Sequence, residues 1–442
     1  MADHKKQIVV IGAGVSGLTA AYLLLRKGFK VTVIEKENAA GGLARSFSYG
    51  DYVFDIGPHL FHTEDKDVIN FIKEMLGDNL RLINRKSGVW MSERYHDWPL
   101  RPSILSHLPL TTISKIMRDL IFKKQHSANN FEDFIIAMYG RTIYEVFFKP
   151  YTEKFLKESL LKIDSTWART AIDRAILDQR LKMNNLWELI KNIFFSRRIK
   201  TTFLYPSEGG IGTFSGELKK RIEENGGVVL LNNNIKEVKF GSHRIEEVIT
   251  EQQIHKPDIL IWTAPITSLC SLLNLPSFNL CFLSLICYNF IVNSLSKNNY
   301  QWCYFGEGGI SFSRTSTPAS FSKTNTRDNK IGICVEIPCW ENDSFWCDPE
   351  GMVETVKRDL LRTMQITEFS HIQAVHIEKI LHSYPIYGLG YQEKLGSIKK
   401  ELNRFKNLIL LGRSANFWYN NMHHSIKAAM DLATKITNKI EE

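Results

Sequence analysis

Cysteine is scarce in this sequence and confined to one region. All seven lie between Cys270 and Cys347, and none forms a CxxC pair. An odd number in that arrangement argues against a disulfide framework or a zinc site and for a reducing compartment. No metal ligand set is expected. Long apolar runs are also lacking. The longest, Leu280 to Val292, is thirteen residues and contains Ser284 and Asn289. A bilayer span needs about 20 residues, so this run reads as a buried strand. The apolar stretch that begins at Gln7 is too short for the core of a secretory leader and runs straight into glycines, so a cytoplasmic location is expected. Blocks of basic residues are missing too. The densest run is Arg197-Arg198-Ile199-Lys200, too short for a nucleic-acid arm, and no nucleic-acid partner is expected. There is no internal repeat and no low-complexity tract.

What remains is ordinary globular material. Hydrophobic residues make up 44% and charged residues 23% of 442, enough to bury a core in two or three domains. The net charge of +9 suits an anionic ligand or an anionic membrane surface. The first strand, Gln7 to Gly12, is nearly all apolar, as a strand covered on both faces of a parallel sheet should be. A helix follows from about Ser16 to Lys27 and stops at Gly28, and Lys30 to Glu35 forms the second strand. This is a βαβ unit.

Within it, Gly12-Ala13-Gly14-Val15-Ser16-Gly17 reads GxGxxG. Gly12 permits the tight turn, Gly14 lets a pyrophosphate approach the backbone, and Gly17 lets the helix pack on the strand. The helix N-terminus presents N–H groups to the phosphates. Glu35, 18 residues past Gly17, is placed to bond a ribose 2′-hydroxyl, which disfavours a 2′-phosphate. NAD and FAD both remain. Gly41-Gly42-Leu43-Ala44-Arg45 then adds a second close backbone approach at Gly42 and an arginine, Arg45, that can meet a phosphate. A simple NAD domain does not require that segment.

Downstream, residues 102 to 200 read as helical, with Phe131–Gly140, Thr142–Phe155 and Lys182–Lys200 as pieces. Val228–Leu231, Ile235–Phe240 and Arg244–Thr250 read as short strands, and Asp258–Ala264 as a strand returning to the first sheet. Phe282–Val292, Gln301–Phe305, Gly309–Ser313 and Ile331–Ile337 suggest an antiparallel sheet, followed by a helix from Pro349 to Met364. Asn407–Leu411 is a last apolar strand before Gly412-Arg413 and a helix from about His424. Trp187 to Lys200 is apolar on one face and basic on the other, which suits either a helix over a cleft or contact with an anionic membrane.

GxGxxG, Glu35 and GGLAR together resemble the flavoprotein group of amine oxidases, protoporphyrinogen oxidases, phytoene desaturases and UDP-galactopyranose mutases. Further stretches resemble the mutases in particular. Asp55 through Thr63 is similar to their histidine loop, GPHIFHT. Phe131-Glu132-Asp133 through Tyr151-Thr152 is similar to FEE…LYEAFFKGYT, and Ser383-Tyr384-Pro385-Ile386 to YYPI. Asn407 to Ile426 resembles the final flavin-contacting strand and helix. The resemblance runs along most of the chain in order and is thinnest over 156–200 and 265–380.

The resemblance implies an α/β fold: a Rossmann-like FAD-binding domain from residues 1–100, 201–265 and 386–442, a mostly helical insertion over 101–200, and an antiparallel-sheet substrate domain over 266–385. It implies a redox-neutral use of reduced FAD, in which flavin N5 attacks the anomeric carbon of a nucleotide-diphosphate sugar and the covalent adduct opens and recloses between pyranose and furanose forms. NAD(P)H is an allowed external reductant. His59 would lie beside the isoalloxazine. Arg314 and Arg174 would bind the diphosphate, with Tyr151, Tyr384 and Tyr419 contacting substrate. Gly412, Arg413 and Met422 would line the flavin, the helix from Met422 aiming its N-terminus at the ring. Cell-surface polysaccharide biosynthesis, a homodimer and peripheral membrane contact are compatible with this reading. An FAD-dependent oxidase or desaturase is the alternative, and a flavin-binding scaffold without turnover a third. Two departures stand out. Lys154-Phe155-Leu156-Lys157 replaces KQWG, removing the tryptophan that helps hold uracil. Tyr419-Asn420-Asn421-Met422-His423 replaces YLDMD and is closer to YNNQDHS, with His423 in place of the acid.

Overall fold

The computed structural model describes residues 6–98, 107–121, 128–175, 188, 201–293, 299–322, 326–327 and 330–441, the side chains of 120, 171–175, 326–327 and 440–441 excepted. The expected helix over Lys182–Lys200 and the amphipathic stretch from Trp187 lie outside the described residues, Glu188 apart.

The apolar strand Gln7–Ile11 is the centre of a five-stranded sheet. On one side it pairs in parallel with Lys30–Ile34, which pairs with Val228–Leu230. On the other it pairs with Ile259–Trp262, which pairs with Leu408–Leu410. The helix Val15–Arg26 ends where Gly28 takes φ +89°, a conformation that costs glycine little. The helix Met422–Glu441 packs along Val15–Arg26. The strands expected around residues 228, 259 and 408 therefore form one parallel sheet with the first, although more than 200 residues of sequence, and for the last nearly 400, separate them from it.

The second sheet is built around Phe282–Val292, buried at every position. Lys330–Cys339 flanks it on one side and Ile372–Pro385 on the other, both antiparallel. Arg314–Ser316, Trp302–Phe305, Ser87–Met91 and Arg94–Trp98 complete the order. Two expectations need correction, and one strand was not expected. Gly309–Ser313 is a loop, because Gly309 takes φ +79° and Asp359 binds Ser311 N–H at 2.7 Å; the strand starts at Arg314. Ile372–Pro385 is an edge strand of mixed polarity and half-buried residues, so it carries no clean alternation to read. Ser87–Trp98, expected with the first domain, hydrogen-bonds into this second sheet.

The insertion is helical where described: Leu110–Ile121, Phe131–Tyr139, Arg141–Ile143, a π-helical turn Tyr144–Phe148, Lys149–Leu156 and Ser165–Ala175. Thr142–Phe155, expected as one helix, is interrupted by the π turn. Such turns re-aim the helix that follows and recur at functional sites. Among the described residues no helix is long and apolar enough to cross a membrane. All seven cysteines are free thiols.

Candidate active site

Three glycine segments meet at the N-terminus of the helix Val15–Arg26. A Cβ on Gly17 would sit 2.1 Å from Gly12 O, and one on Gly12 2.4 Å from Thr263 Oγ1, so the turn fits only glycine. Gly41 N–H donates to Ala13 O at 2.8 Å, and a Cβ on Gly42 would come 3.2 Å from Gly14 Cα. From the far end of the chain Gly412, at φ +85°, lies so close to Ser16 that a Cβ would be 2.4 Å from its Oγ. The result is a cradle of bare backbone beside helical N–H groups that lack intrahelical partners.

Glu35 is buried and accepts from Ala13 N–H at 2.7 Å and Glu37 N–H at 3.0 Å. Each carboxylate oxygen has two lone pairs, so capacity for a ribose hydroxyl remains. Arg45 lies over the Phe47 ring at 4.9 Å and near Glu37 at 3.5 Å, while its buried Nε has no hydrogen-bond partner among the described residues. These features fit a dinucleotide such as FAD, and Met422 stands buried at the start of its helix beside them.

The second cluster forms on the inner face of the antiparallel sheet. Arg314 and Glu336 are cross-strand partners joined by two bonds, Nε to Oε1 and Nη2 to Oε2, each 2.5 Å. Glu336 is 1% exposed, whereas the Arg314 side chain keeps 19%. The carboxylate holds the guanidinium well above its ordinary pKa, against the opposing effect of burial. Its remaining N–H groups are available to an anion. Gly57, at φ +65°, passes directly over this pair: a Cβ there would lie 2.5 Å from the Glu336 carboxylate. The loop that carries half-buried His59 is thereby seated on Glu336.

Asp55 anchors the root of that loop. It accepts from Ser46 Oγ at 2.6 Å, Tyr205 OH at 2.7 Å and Ile211 N–H at 3.0 Å. Burial pushes its carboxyl up to about 6.

Aromatic rings close the cluster. Tyr304, paired with Arg314 across the hairpin, meets Tyr151 edge-on at 5.6 Å. Phe155 lies 4.7 Å from Tyr384, and Tyr384 5.7 Å from Tyr419. The Arg413 guanidinium carbon sits 5.3 Å from the Tyr384 ring centre and 4.7 Å from that of Tyr419, which stacks on Trp167 at 4.7 Å. Burial raises the Tyr151 and Tyr384 phenols above the usual value, with Arg314 acting against it on both. They remain protonated donors at neutral pH. One turn beyond Tyr151, Lys154 Nζ donates to Glu307 O, and burial lowers this amine to about 8.

Thus Arg314, Tyr151, Tyr384, Tyr419 and Arg413 come together, and Gly12, Gly14, Gly17, Glu35, Gly42, Arg45, Gly412 and Met422 form the cradle. Arg174 lies in Ser165–Ala175 with its side chain outside the described residues. Sequence reading missed Glu336, Tyr304, Asp55, Phe155 and Trp167. Glu336 had a signal, a lone acid inside the apolar run Ile331–Ile337. A separate open cleft of about 720 Å³ beside Phe282, Trp340 and His382 shares none of these residues.

Residues 10–75 match the NAD(P)-binding Rossmann-like domain family. A crystal structure of reduced UDP-galactopyranose mutase superposes over 99% of this chain and 95% of its own, with TM-score 0.83 and 19% identity. The fold is UDP-galactopyranose mutase-like. A Klebsiella pneumoniae protein named "Probable UDP-galactopyranose mutase" is 29% identical over 161 residues, 34% of this chain and 41% of that protein. A 1-hydroxycarotenoid 3,4-desaturase of Flavobacterium sp. (strain P99-3) is 21% identical over 288 residues, 58% of this chain and 56% of the desaturase. The matched stretches span about half or less of these curated relatives. The mutase-like fold unites the cradle and the arginine–tyrosine cluster, whose parts come from distant stretches of sequence.

Proposed function

We propose that this protein is an FAD-dependent enzyme that, with the cofactor reduced, interconverts ring forms of a nucleotide-diphosphate sugar. One observation carries the reading: a fork-held arginine, a second arginine between two tyrosines, and three tyrosine hydroxyls converge where the histidine loop crosses the sheet. That is a site for a charged diphosphate. Reduced FAD, when bound, supplies the electron pair that attacks the sugar's anomeric carbon.

The chain's own residues bind, orient and neutralise. Arg413 and the free N–H groups of Arg314 would offset the charge that develops on a departing diphosphate. The hydroxyls of Tyr151, Tyr384 and Tyr419 would donate to its oxygens without adding charge. Glu336 keeps the Arg314 fork in one plane. Asp55 and Gly57 hold the loop that carries His59, which would lie beside the flavin when it is bound. Phe155 and Trp167 narrow the site and exclude water. Leu156 is buried in the core, so no tryptophan at that position stacks on uracil, and the proposal does not fix the nucleotide as uridine. The protein would act in the cytoplasm, take NAD(P)H as external reductant, and serve cell-surface polysaccharide biosynthesis.

A second reading, an oxidase or desaturase, is favoured by the ring-lined wall of Phe155, Trp167 and Tyr384 and by the likeness of Tyr419-Asn420-Asn421 to YNNQDHS. Anaerobic incubation of the dithionite-reduced protein with UDP-, GDP- and dTDP-sugars separates the two. Ring-isomer product without net electron consumption supports the mutase. In a separate aerobic assay without dithionite, oxygen uptake coupled to turnover of an apolar substrate supports the oxidoreductase and defeats the mutase.

A further inference from the structure

The helix Leu110–Ile121 opens the insertion and carries an apolar ridge that is exposed among the described residues. Leu110 is 84% and Ile121 73% exposed, the two most exposed large apolar side chains among the described residues, and Met117 is 50% exposed. At 100° per residue the three fall within about 40° of one another. The helix is anchored by a different face: Ile116 is buried and packs into the main core.

Charge on the helix is one-sided. At the same 100° per residue, exposed Arg118 lies about 80° and exposed Lys115 about 140° around the helix from the centre of the ridge, both on one side of it. Its only acid, Asp119, is turned to the protein, where it accepts Thr142 N–H at 2.7 Å and crowds Gly140. The sequence continues as Phe122-Lys123-Lys124, beyond the described residues. The solvent face is therefore apolar and cationic, without a carboxylate.

We propose that Leu110–Ile121 docks this protein on an anionic lipid surface, with Leu110, Met117 and Ile121 entering the acyl boundary and Lys115 and Arg118 meeting the headgroups. The pairing of the two features selects lipid over protein. Protein interfaces are enriched in aromatic residues, methionine and arginine; this helix has no aromatic residue, and exposed cations with no outward carboxylate beside an aliphatic ridge match an anionic headgroup layer. Such binding rests on area plus electrostatics and is reversible, in keeping with a single short helix.

The test is co-sedimentation of the full chain with vesicles of phosphatidylcholine and with vesicles of equal parts phosphatidylcholine and phosphatidylglycerol, at low and high salt. The protein is expected to partition onto the mixed vesicles at low salt and to leave them as salt screens the charges. The double variant Leu110→Glu/Ile121→Glu should lower that partition at least about tenfold. Lys115→Glu/Arg118→Glu should abolish the preference for the mixed vesicles. Unchanged unfolding temperatures in both variants exclude misfolding, since all four side chains are exposed. Absence of wild-type binding to mixed vesicles overturns the proposal, as does binding that both variants retain. A dimer in solution that Leu110→Glu/Ile121→Glu converts to monomer also overturns it, by assigning the ridge to a second copy of the chain.

Discussion

Arg314 and Glu336 depend on each other. The pair is buried on the Glu336 side and bidentate, so truncating the arginine leaves an uncompensated carboxylate in the core. Arg314→Ala is expected to cost about 3–5 kcal/mol of stability, and Arg314→Ala/Glu336→Gln to recover most of it while turnover stays absent. Urea unfolding measured beside product formation checks both halves; a double variant as unstable as the single would show that the carboxylate is not the cause. Asp55 makes a pH prediction. Its folded-state pKa, about 6, lies above the usual 3.8, so the folded protein binds the extra proton between those values. The associated stability is fully present below pH 3.8 and is lost as pH rises through 6, by at most about 3 kcal/mol. In the pH profile of unfolding free energy, wild type minus Asp55→Asn should fall across that window. A flat difference would remove Asp55 as the titrating group.

Glycines distinguish elements that are built around absence of a side chain from those that merely contain one. Gly17 packs its helix against Gly12 O, and Gly42 packs one glycine turn against the other. Gly17→Ala should therefore separate helix from strand, with lost FAD affinity and a stability cost of at least about 2 kcal/mol. Gly216, within the helix Gly212–Glu224, has nothing within 4 Å of a built Cβ and no positive φ. Gly216→Ala should stabilise by about 0.5–1 kcal/mol. Thermal unfolding of the two variants should move in opposite directions while FAD titration changes only for Gly17→Ala; a common direction, or equal loss of FAD affinity, would mean that the cradle is not the constraint. The π turn Tyr144–Phe148 belongs to the same scale. It sets the rotation of Lys149–Leu156, and hence which way Tyr151 and Phe155 face.

For the molecule as a whole, the cradle draws on residues 12–17, 35, 41–45 and 412–422, which are distant in sequence. A dinucleotide bound there joins the two ends of the chain. Binding restricted to the folded state should raise stability with free FAD, by about 2.7 kcal/mol at a hundredfold excess over Kd. Differential scanning of apoprotein across an FAD series checks this, and an unfolding temperature indifferent to FAD would end the flavoprotein reading. The +9 charge acts at this scale too. It favours anionic ligands at the site and anionic lipid at the exposed ridge, and both attractions should weaken with salt.

The βαβ opening, the glycine turn, Glu35 and the closing strand and helix were legible in the sequence because each is local. A tight turn needs glycine where it occurs, and a doubly covered strand must be apolar along its own length. The arginine and tyrosines could be named, but not their arrangement. Pairing of Arg314 with Glu336, the seat of Gly57 on that carboxylate, the anchoring of Asp55 by Tyr205 and the transfer of Ser87–Trp98 to the second sheet are contacts between segments far apart in the chain. No residue type encodes them alone. Strand register and the packing of two sheets decide them, since these fix which side chains share a face and which charges share a low-dielectric interior.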